Sequence, residues 1–223
     1  MQQFVVDVKS VYNVTHNVLK IITEKPLYYS YWPGQATHIS INKRGWSSKR
    51  NPFTFTSIPV DDYLEFTIKI YPEHNGVTNE LLRLKKDDQL ILHDVYGAIN
   101  YVGEGIFIAG GAGITPFMPI IRHLYSINQI GDNKLIFANK TENDIIYEAE
   151  LRSYFGKNFL NILSEKKLDG YDHGHIDAAY IKANISGPNQ FFYVCGPPAM
   201  VADIGAQLQY LQVDANSIIK EEL

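Results

Sequence analysis

Residues 104–127, EGIFIAGGAGITPFMPIIRHLYSI, contain the pattern that decides the fold of the second half of the chain. An apolar run leads directly into the small residues of the loop at 110–116, and an apolar helical pattern follows. Small residues let a backbone approach a phosphate, and the next helix offers unpaired N–H groups and a positive dipole end. Pro116 suits the first helical turn, because its missing N–H would have no partner there. The stretch predicts a strand, a tight anion-binding loop and a helix.

This loop differs from the usual dinucleotide fingerprint. Pro116 stands where a third Gly is expected, and the next predicted strand ends in Asn139 and Lys140 rather than in an acid that would bind a ribose diol. On these residues alone, a tight turn without a ligand is an equal alternative.

A second predicted strand also ends in a turn, in the sequence YVCGPPAM at 193–200. Ligands of open α/β sheets bind beyond the carboxyl ends of the strands, so Cys195 and Thr115 are expected at the same edge. Two such loops favour a nucleotide site. The alternative is that Cys195 is a small buried hydrophobic residue, which is the commoner role of a free cysteine.

The two halves of the chain differ in their patterns. Residues 1–102 contain six short β-branched or aromatic runs separated by turn residues, which predicts a small barrel or sandwich. Residues 103–223 alternate strands with helices, which predicts a parallel sheet with helices on both faces. In the first half, only TNELLRLKK predicts a helix, with Thr78 as its N-cap.

Composition excludes several classes of protein. The 223 residues carry a net charge of −4 and a pI near 6.0, which argues against a nucleic-acid partner. The single cysteine excludes internal disulfides and cysteine-held zinc or iron–sulfur sites, and His173 and His175 lack a third ligand nearby, so we expect no metal. We find no secretory signal and no uninterrupted apolar run that would span a bilayer, and we expect a cytoplasmic protein without membrane insertion.

The segment KRNPFTFTS at 49–57 combines a strand with unusual neighbours. Alternating Phe and Thr is typical of a half-buried strand. Two basic residues, an Asn-Pro pair and a row of hydroxyls are not needed for packing, so the segment is also a candidate to present charge and hydroxyls to a ligand.

Three motifs in this order, NPFT, GGAGITP and CGPPAM, resemble those of the ferredoxin–NADP reductase superfamily over nearly the whole chain. The resemblance implies an N-terminal antiparallel β-barrel that binds FAD, at 1–102, and a C-terminal α/β parallel-sheet domain that binds NAD(P)H, at 103–223.

The resemblance also implies residues that bind FAD. The family's motif is Arg, any residue, Tyr or Phe, then Ser or Thr; Phe53 would pack on the flavin and Thr54 would bond near its N5. Asn51 occupies the Arg position, and Arg50, one residue earlier, is the candidate for the phosphate. The remaining residues of this set are Pro52, Lys69, Ile70, Tyr71, Gly76, Val77 and Thr78.

For the nicotinamide cofactor, the resemblance assigns residues of both loops and of the strand ends beyond them. They are Gly110, Gly111, Gly113, Ile114, Thr115, Pro116, Asn139, Lys140, Ser164, Cys195, Gly196, Pro197 and Met200. Glu165 follows Ser164 and would repel a 2′-phosphate, which favours NADH, while Lys140 and Lys166 would offset this repulsion.

The implied function is hydride transfer from NAD(P)H to flavin N5, followed by release of electrons to a separate carrier such as an acidic flavodoxin or ferredoxin. Thr54, Thr115 and Cys195 are the expected catalytic positions. The basic segment of Lys43, Arg44, Lys49 and Arg50 is a candidate to steer the carrier, with solvated loop charges as the alternative. Two alternatives stay open: an NAD(P)H-dependent flavin or quinone reductase acting on small acceptors, and an electron-transfer subunit of a larger complex.

Overall fold

The computed structural model describes residues 3–71, 76–97, 99–185 and 190–221. The chain divides into two compact units. The barrel unit comprises residues 1–98 and 115–123, and the sheet unit comprises residues 99–114 and 124–223.

Six antiparallel strands form the barrel unit: β1 Phe4–Thr15, β2 Val18–Glu24, β3 Ala36–Ile41, β4 Asn51–Thr54, β5 Tyr63–Lys69 and β6 Gln89–Tyr96. Their order is β4-β3-β6-β1-β2-β5, and an antiparallel bridge from Phe55 to Phe66 joins the two ends of this order. The sheet therefore closes on itself, and the antiparallel barrel expected from the alternating pattern is confirmed.

The centre of the barrel is aromatic. Phe55 and Phe66 are fully buried, and the Tyr31 ring stacks on Phe55 with ring centroids 4.1 Å apart. Around them pack β-branched and leucine side chains from every side, including Ile21, Ile39 and others on alternate strand positions. The Phe–Thr alternation at 53–57 thus packs Phe55 into the core.

The helix expected in the first half is short, and its predicted cap was wrong. Helix α1 spans Val77–Glu80 and continues as a 3-10 turn over Leu81–Arg83. Gly76 is the N-cap, which puts Thr78 inside the first turn instead of before it. Val77 is buried in the barrel core, and this burial sets where the helix begins.

The sheet unit contains six parallel strands: β7 Gly105–Gly110, β8 Lys134–Asn139, β9 Phe159–Leu163, β10 Asp172–His173, β11 Phe191–Cys195 and β12 Ile218–Lys220. Their order is β10-β9-β8-β7-β11-β12, so the chain moves outward from β7 on one side and later returns to its other side. This reversal creates a crevice at the carboxyl ends of β7 and β11, where open parallel sheets bind ligands.

Helices α3 Glu148–Phe155, α4 Ala178–Asn184 and α5 Pro198–Tyr210 belong to the sheet unit, whereas α2 Phe117–Ser126 begins in the barrel unit. Ile181 of α4 and Ile204 of α5 pack in one cluster with Ile106 and Ile108 of β7. Strand β7 is buried along its whole length, as expected for a central parallel strand.

Two details of this unit differ from the sequence prediction. Helix α4 begins at Ala178, because the Asp177 side chain accepts a hydrogen bond from the Tyr180 amide and caps it. The short strands β10 and β12 were not predicted. No helix among the described residues is long and apolar enough to cross a membrane.

Candidate active site

The two loops at the carboxyl ends of β7 and β11 meet in the sheet unit. Ala109 and Cys195 are paired across the strands, and a Cβ added to Gly196 would lie 3.2 Å from the Gly110 Cα. Met200 and Pro197 line the space in front of Gly110. The structure therefore brings together the residues that the sequence assigned to both nucleotide-binding loops.

Gly113 also has a packing role between the two loops. A Cβ on Gly113 would lie 2.5 Å from the Cys195 carbonyl carbon and 2.6 Å from the Gly196 Cα. Close approach between the two loops thus requires Gly at this position. Gly111 instead has a left-handed φ of 51°, which starts the turn.

The loop forms a 3-10 turn over Gly111–Ile114, and Pro116 directly precedes helix α2. Pro116 was expected inside the first turn and lies one residue before it. Ile114 and Pro116 are buried, whereas Thr115 is partly exposed. Among these three, Thr115 presents a polar side chain that a ligand can reach.

Cys195 is 8% exposed, and its Sγ lies 3.8 Å from Oε2 of Glu221. Burial, together with the neighbouring carboxylate, raises the pKa of the thiol to about 12. The side chain is therefore a neutral thiol at physiological pH, suited to packing or hydrogen bonding and not to nucleophilic attack.

Asn139 ends strand β8 with an unusual side chain. The residue is 7% exposed, and neither polar atom of its amide has a hydrogen-bond partner among the described residues. Its backbone carbonyl accepts a hydrogen bond from the Ser164 amide at 3.0 Å, so the ends of β8 and β9 are held together. Buried amides without partners are costly, which makes Asn139 a candidate ligand-binding group.

Two ion pairs join the segments after β8 and β9. Lys140 Nζ lies 2.9 Å from Oε1 of Glu165, and Lys166 pairs with Glu142. The hydrogen bond and charge of Glu165 raise the pKa of Lys140, and those of Lys166 lower the pKa of Glu142. Glu142 was missed in the sequence, because helix α3 and strand β9 separate it from Lys166 along the chain.

The barrel unit holds the residues of the predicted flavin motif on β4, which ends the sheet order next to β3. Phe53 pairs with Thr37 and packs partly buried against the core, while Thr54 pairs with Ala36 and is partly exposed. Asn51 begins the strand, and Arg50 is exposed just before it. Thr115 and Pro116 belong to the same unit.

The residues predicted to bind FAD at 69–71 and 76–78 differ in how deeply they are buried. Ile70 and Val77 are core residues, so only their backbones can reach a ligand. Tyr71 is 47% exposed, and Lys69, Gly76 and Thr78 are partly exposed. Tyr71, with its exposed ring, is the member of this set best placed to contact a planar or phosphate group.

A buried charge in the barrel unit was not predicted. Glu65 is 1% exposed and contacts Lys20, Arg122 and Thr56. The available sequence signal was a lone carboxylate in the apolar strand YLEFTIK.

Comparisons with known proteins agree with this geometry. Residues 107–205 match the family model of the oxidoreductase NAD-binding domain. A ferredoxin NADP⁺ reductase from Neisseria gonorrhoeae, whose structure holds FAD and NADP, superposes with a TM-score of 0.84 at 16% identity over 99% of this chain and 98% of that one. The chain therefore has the two-domain fold of that reductase, and its parallel-sheet half matches an oxidoreductase NAD-binding domain.

Sequence relatives include reductases of different systems. NADH-cytochrome b5 reductase 2 of Gallus gallus is 27% identical over 205 residues, covering 75% of this chain and 67% of the relative. The reductase component of propane 2-monooxygenase from Mycolicibacterium goodii is 27% identical over 222 residues, covering 92% of this chain and 61% of the relative. The chain thus spans about two thirds of the length of these curated relatives. The two-domain fold expected from the sequence motifs is confirmed.

Proposed function

We propose that this chain is an FAD-dependent oxidoreductase that oxidises a reduced pyridine nucleotide and passes the electrons to a separate acceptor. The observation that carries the proposal is the meeting of the loops at Gly110 and Cys195, at the point where the order of the parallel strands reverses. The match of residues 107–205 to an oxidoreductase NAD-binding domain and the fold shared with a ferredoxin NADP⁺ reductase support it. In this proposal the FAD-binding domain is 1–102 and the NAD(P)-binding domain is 103–223.

The residues of the barrel unit suit FAD. Strand β4 carries the partly exposed Phe53 and Thr54, and Arg50 supplies a positive charge just before its start. The half-exposed ring of Tyr71 and the first turn of α1 at Thr78 add an aromatic surface and backbone N–H groups. Phe53 would pack on the ring system, Thr54 would donate to it, and Arg50 would bind phosphate.

The residues of the sheet unit suit a pyridine nucleotide. The unpartnered Asn139 amide offers a donor and an acceptor for the ribose or adenine. The 110–116 loop and the turn at Cys195 would hold the pyrophosphate and nicotinamide, with Met200 and Pro197 excluding water in front of Gly110.

When bound, FAD accepts hydride and releases electrons singly, so the chain need only orient the reactants. Cys195 contributes a neutral, buried thiol that packs or donates a hydrogen bond. Thr54 and Thr115 contribute hydroxyls that hold ligand atoms in place, and no charged nucleophile is required.

We further propose that NADH is preferred over NADPH. Lys140 and Lys166 are each paired with a carboxylate, so their charges are offset where a 2′-phosphate would need an uncompensated cation. The name of the NADH-cytochrome b5 reductase relative is in line with this preference.

Neutralising the Glu165 carboxylate tests the proposed preference for NADH. Glu165→Gln should raise kcat/KM for NADPH relative to NADH by roughly two- to fivefold, the range expected for an exposed pair. Glu24→Gln, an exposed change of the same charge at the end of β2, should leave the ratio unchanged. A wild-type enzyme that prefers NADPH, or an unchanged ratio in Glu165→Gln, would contradict the assignment.

The acceptor is proposed to be another protein. The named relatives serve cytochrome b5 and a monooxygenase, so a flavodoxin or ferredoxin is one member of a wider set. The basic segment offers less free charge than the sequence suggested: Lys43 lies 3.6 Å from Asp88, and Lys49 lies 4.0 Å from the centroid of the Trp46 ring. Arg44 and Arg50 remain exposed.

A reductase component of a multi-protein oxygenase is the second candidate, favoured by the alignment of 92% of this chain to such a component. Stopped-flow reduction by NADH, followed by mixing with ferredoxin, flavodoxin, cytochrome b5 or a free quinone, distinguishes the candidates. Rapid reoxidation by a protein acceptor supports the proposal, whereas reoxidation only by free quinone or flavin assigns the chain to the small-acceptor reductases.

A further inference from the structure

Glu65 on strand β5 is the centre of a buried polar network in the barrel unit. Its Oε1 accepts hydrogen bonds from Arg122 at 2.6 Å and from the Thr56 hydroxyl at 2.9 Å, and its Oε2 lies 2.8 Å from Lys20 Nζ. The carboxylate side chain is 2% exposed and that of Arg122 is 15% exposed. Two cations and a hydroxyl therefore fix both oxygens.

The network extends along residues 56–57, which follow the proposed flavin motif on β4. Arg122 also donates to the Thr56 carbonyl at 2.7 Å, and the Thr56 amide donates to the Glu65 carbonyl at 2.8 Å. The Glu65 amide donates to Oγ of Ser57, which bonds in turn to the buried Tyr31 hydroxyl at 2.8 Å. Thr56 is thus held through its side chain, amide and carbonyl, two residues after Thr54.

Through Arg122, the network also includes the helix that follows the glycine-rich loop at 110–116. Arg122 lies on helix α2, which begins at Phe117 directly after Thr115 and Pro116. Residues 115–123 belong to the same compact unit as β4 and β5. The Glu65 carboxylate therefore bonds both to a segment next to Thr54 and to the helix that follows Thr115.

Stability alone does not require this arrangement. Burying charges costs free energy that their mutual attraction only partly recovers, and well-packed apolar residues often stabilise as well or better. A fully bonded buried network does fix geometry, because each partner has one low-energy placement. Arg122 and Thr56 are 66 residues apart in the chain, so no local interaction would hold them in register.

We propose that Glu65 is a positioning residue for hydride transfer: through Thr56 and Arg122 it fixes the placement of the segments that carry Thr54 and Thr115. Its side chain is 2% exposed, so it acts through Thr56 and Arg122 and not by contact with a ligand. This inference rests on the proposed function for its kinetic consequence, whereas its structural consequence is measurable without any ligand.

The first test is hydrogen exchange by mass spectrometry on the wild type, Glu65→Gln and a matched control. Glu65→Gln keeps the shape and removes the charge, and it should increase exchange in both 51–57 and 115–123. Glu148→Gln removes the partner of Arg152 in an exposed ion pair of similar length, 2.7 Å, and should leave both segments unchanged. Unchanged exchange in either segment of Glu65→Gln would overturn the inference, whether or not the protein oxidises NADH.

The second test is kinetic. At saturating NADH, the rate constant of flavin reduction in Glu65→Gln should fall at least about tenfold with FAD content retained, because a misplacement of about 1 Å can cost about a hundredfold in rate. Arg122→Met should give the same loss, Arg122→Lys should recover part of it, and the double variant should be no worse than either single one. If Glu65→Gln folds, binds FAD and is reduced at the wild-type rate, Glu65 does not position the reactants and contributes only to stability.

If Glu65→Gln fails to fold, Thr56→Val replaces it, since this variant removes only one hydroxyl from the network. Increased exchange in 51–57 and slower reduction support the inference, and wild-type behaviour in both measurements overturns it. Failure of the wild type to oxidise NADH would reject the proposed function, and hydrogen exchange alone would then decide whether Glu65 holds the two segments in place.

Discussion

Gly113→Ala should destabilise the protein at the point where the β7 and β11 loops meet. The new Cβ would lie 2.5 Å from the Cys195 carbonyl carbon, against 3.4 Å for an ordinary contact, a shortfall of about 0.9 Å. Both nearby groups are backbone, so no side-chain rotation relieves the overlap. Such overpacking costs about 1–3 kcal/mol of the free energy of unfolding, and we expect the upper part of that range.

The matched series is Gly113→Ala, Gly196→Ala and Gly205→Ala, assayed by urea unfolding and by the Kd for NADH. Gly196→Ala meets its neighbours at 3.2 Å and should cost less. Gly205 lies within helix α5 with nothing within 4 Å of an added Cβ, so Gly205→Ala should stabilise by about 0.8–1.0 kcal/mol through helix propensity. Gly113→Ala should also weaken NADH binding, because its loop must move. Wild-type stability and Kd in Gly113→Ala would refute the close approach of the two loops.

Three further predictions concern buried groups. The pKa of Cys195 is raised to about 12 from 9.0, so its thiol should react with an alkylating reagent at pH 8 roughly a thousandfold more slowly than a free cysteine. Glu221→Gln should speed this reaction, because it removes the neighbouring carboxylate. Equal reaction rates in native and urea-unfolded protein would contradict the raised pKa. Tyr193→Phe removes a hydroxyl that accepts a hydrogen bond from the Gly103 amide and donates one to the Gly103 carbonyl. The free energy of unfolding measured in urea should fall by about 1–3 kcal/mol, and a loss below about 0.3 kcal/mol would count against these hydrogen bonds. Burial would raise the pKa of Glu65, but its cationic partners outweigh burial and lower the pKa. The stabilisation that Glu65 contributes is therefore present above the pKa of the unfolded state and is lost as the pH falls through the pKa of the folded state. Across this acid range, the free energy of unfolding measured in urea should depend less on pH in Glu65→Gln than in the wild type.

Much of the fold was predictable because its signals are local. The alternation in VLKIITE and the buried run before Gly110 define β2 and β7 without tertiary information. Strands β10 and β12 were missed because two or three residues carry no periodic signal, and their pairing with longer strands is what forms them. At α1, burial of Val77 determined the start of the helix, which sequence propensity had assigned to Thr78 as a cap.

The candidate site was predictable where a motif spans adjacent residues. The loops at 110–116 and 195–200 were identified, but the reason for Gly at 113 depends on a backbone 82 residues away. The pairing of Lys166 with Glu142 and the network around Glu65 also join residues distant in sequence. Composition and spacing do not encode such contacts, so they emerge only from the folded chain.

Anaerobic titration of the purified, FAD-reconstituted protein with NADH and with NADPH tests the proposed electron transfer most directly. We predict a visible flavin spectrum that NADH bleaches with one equivalent per FAD, faster than NADPH does, and that returns when an electron acceptor is added. A protein that cannot be reconstituted with FAD, or whose bound flavin neither nucleotide reduces, would contradict the proposed function.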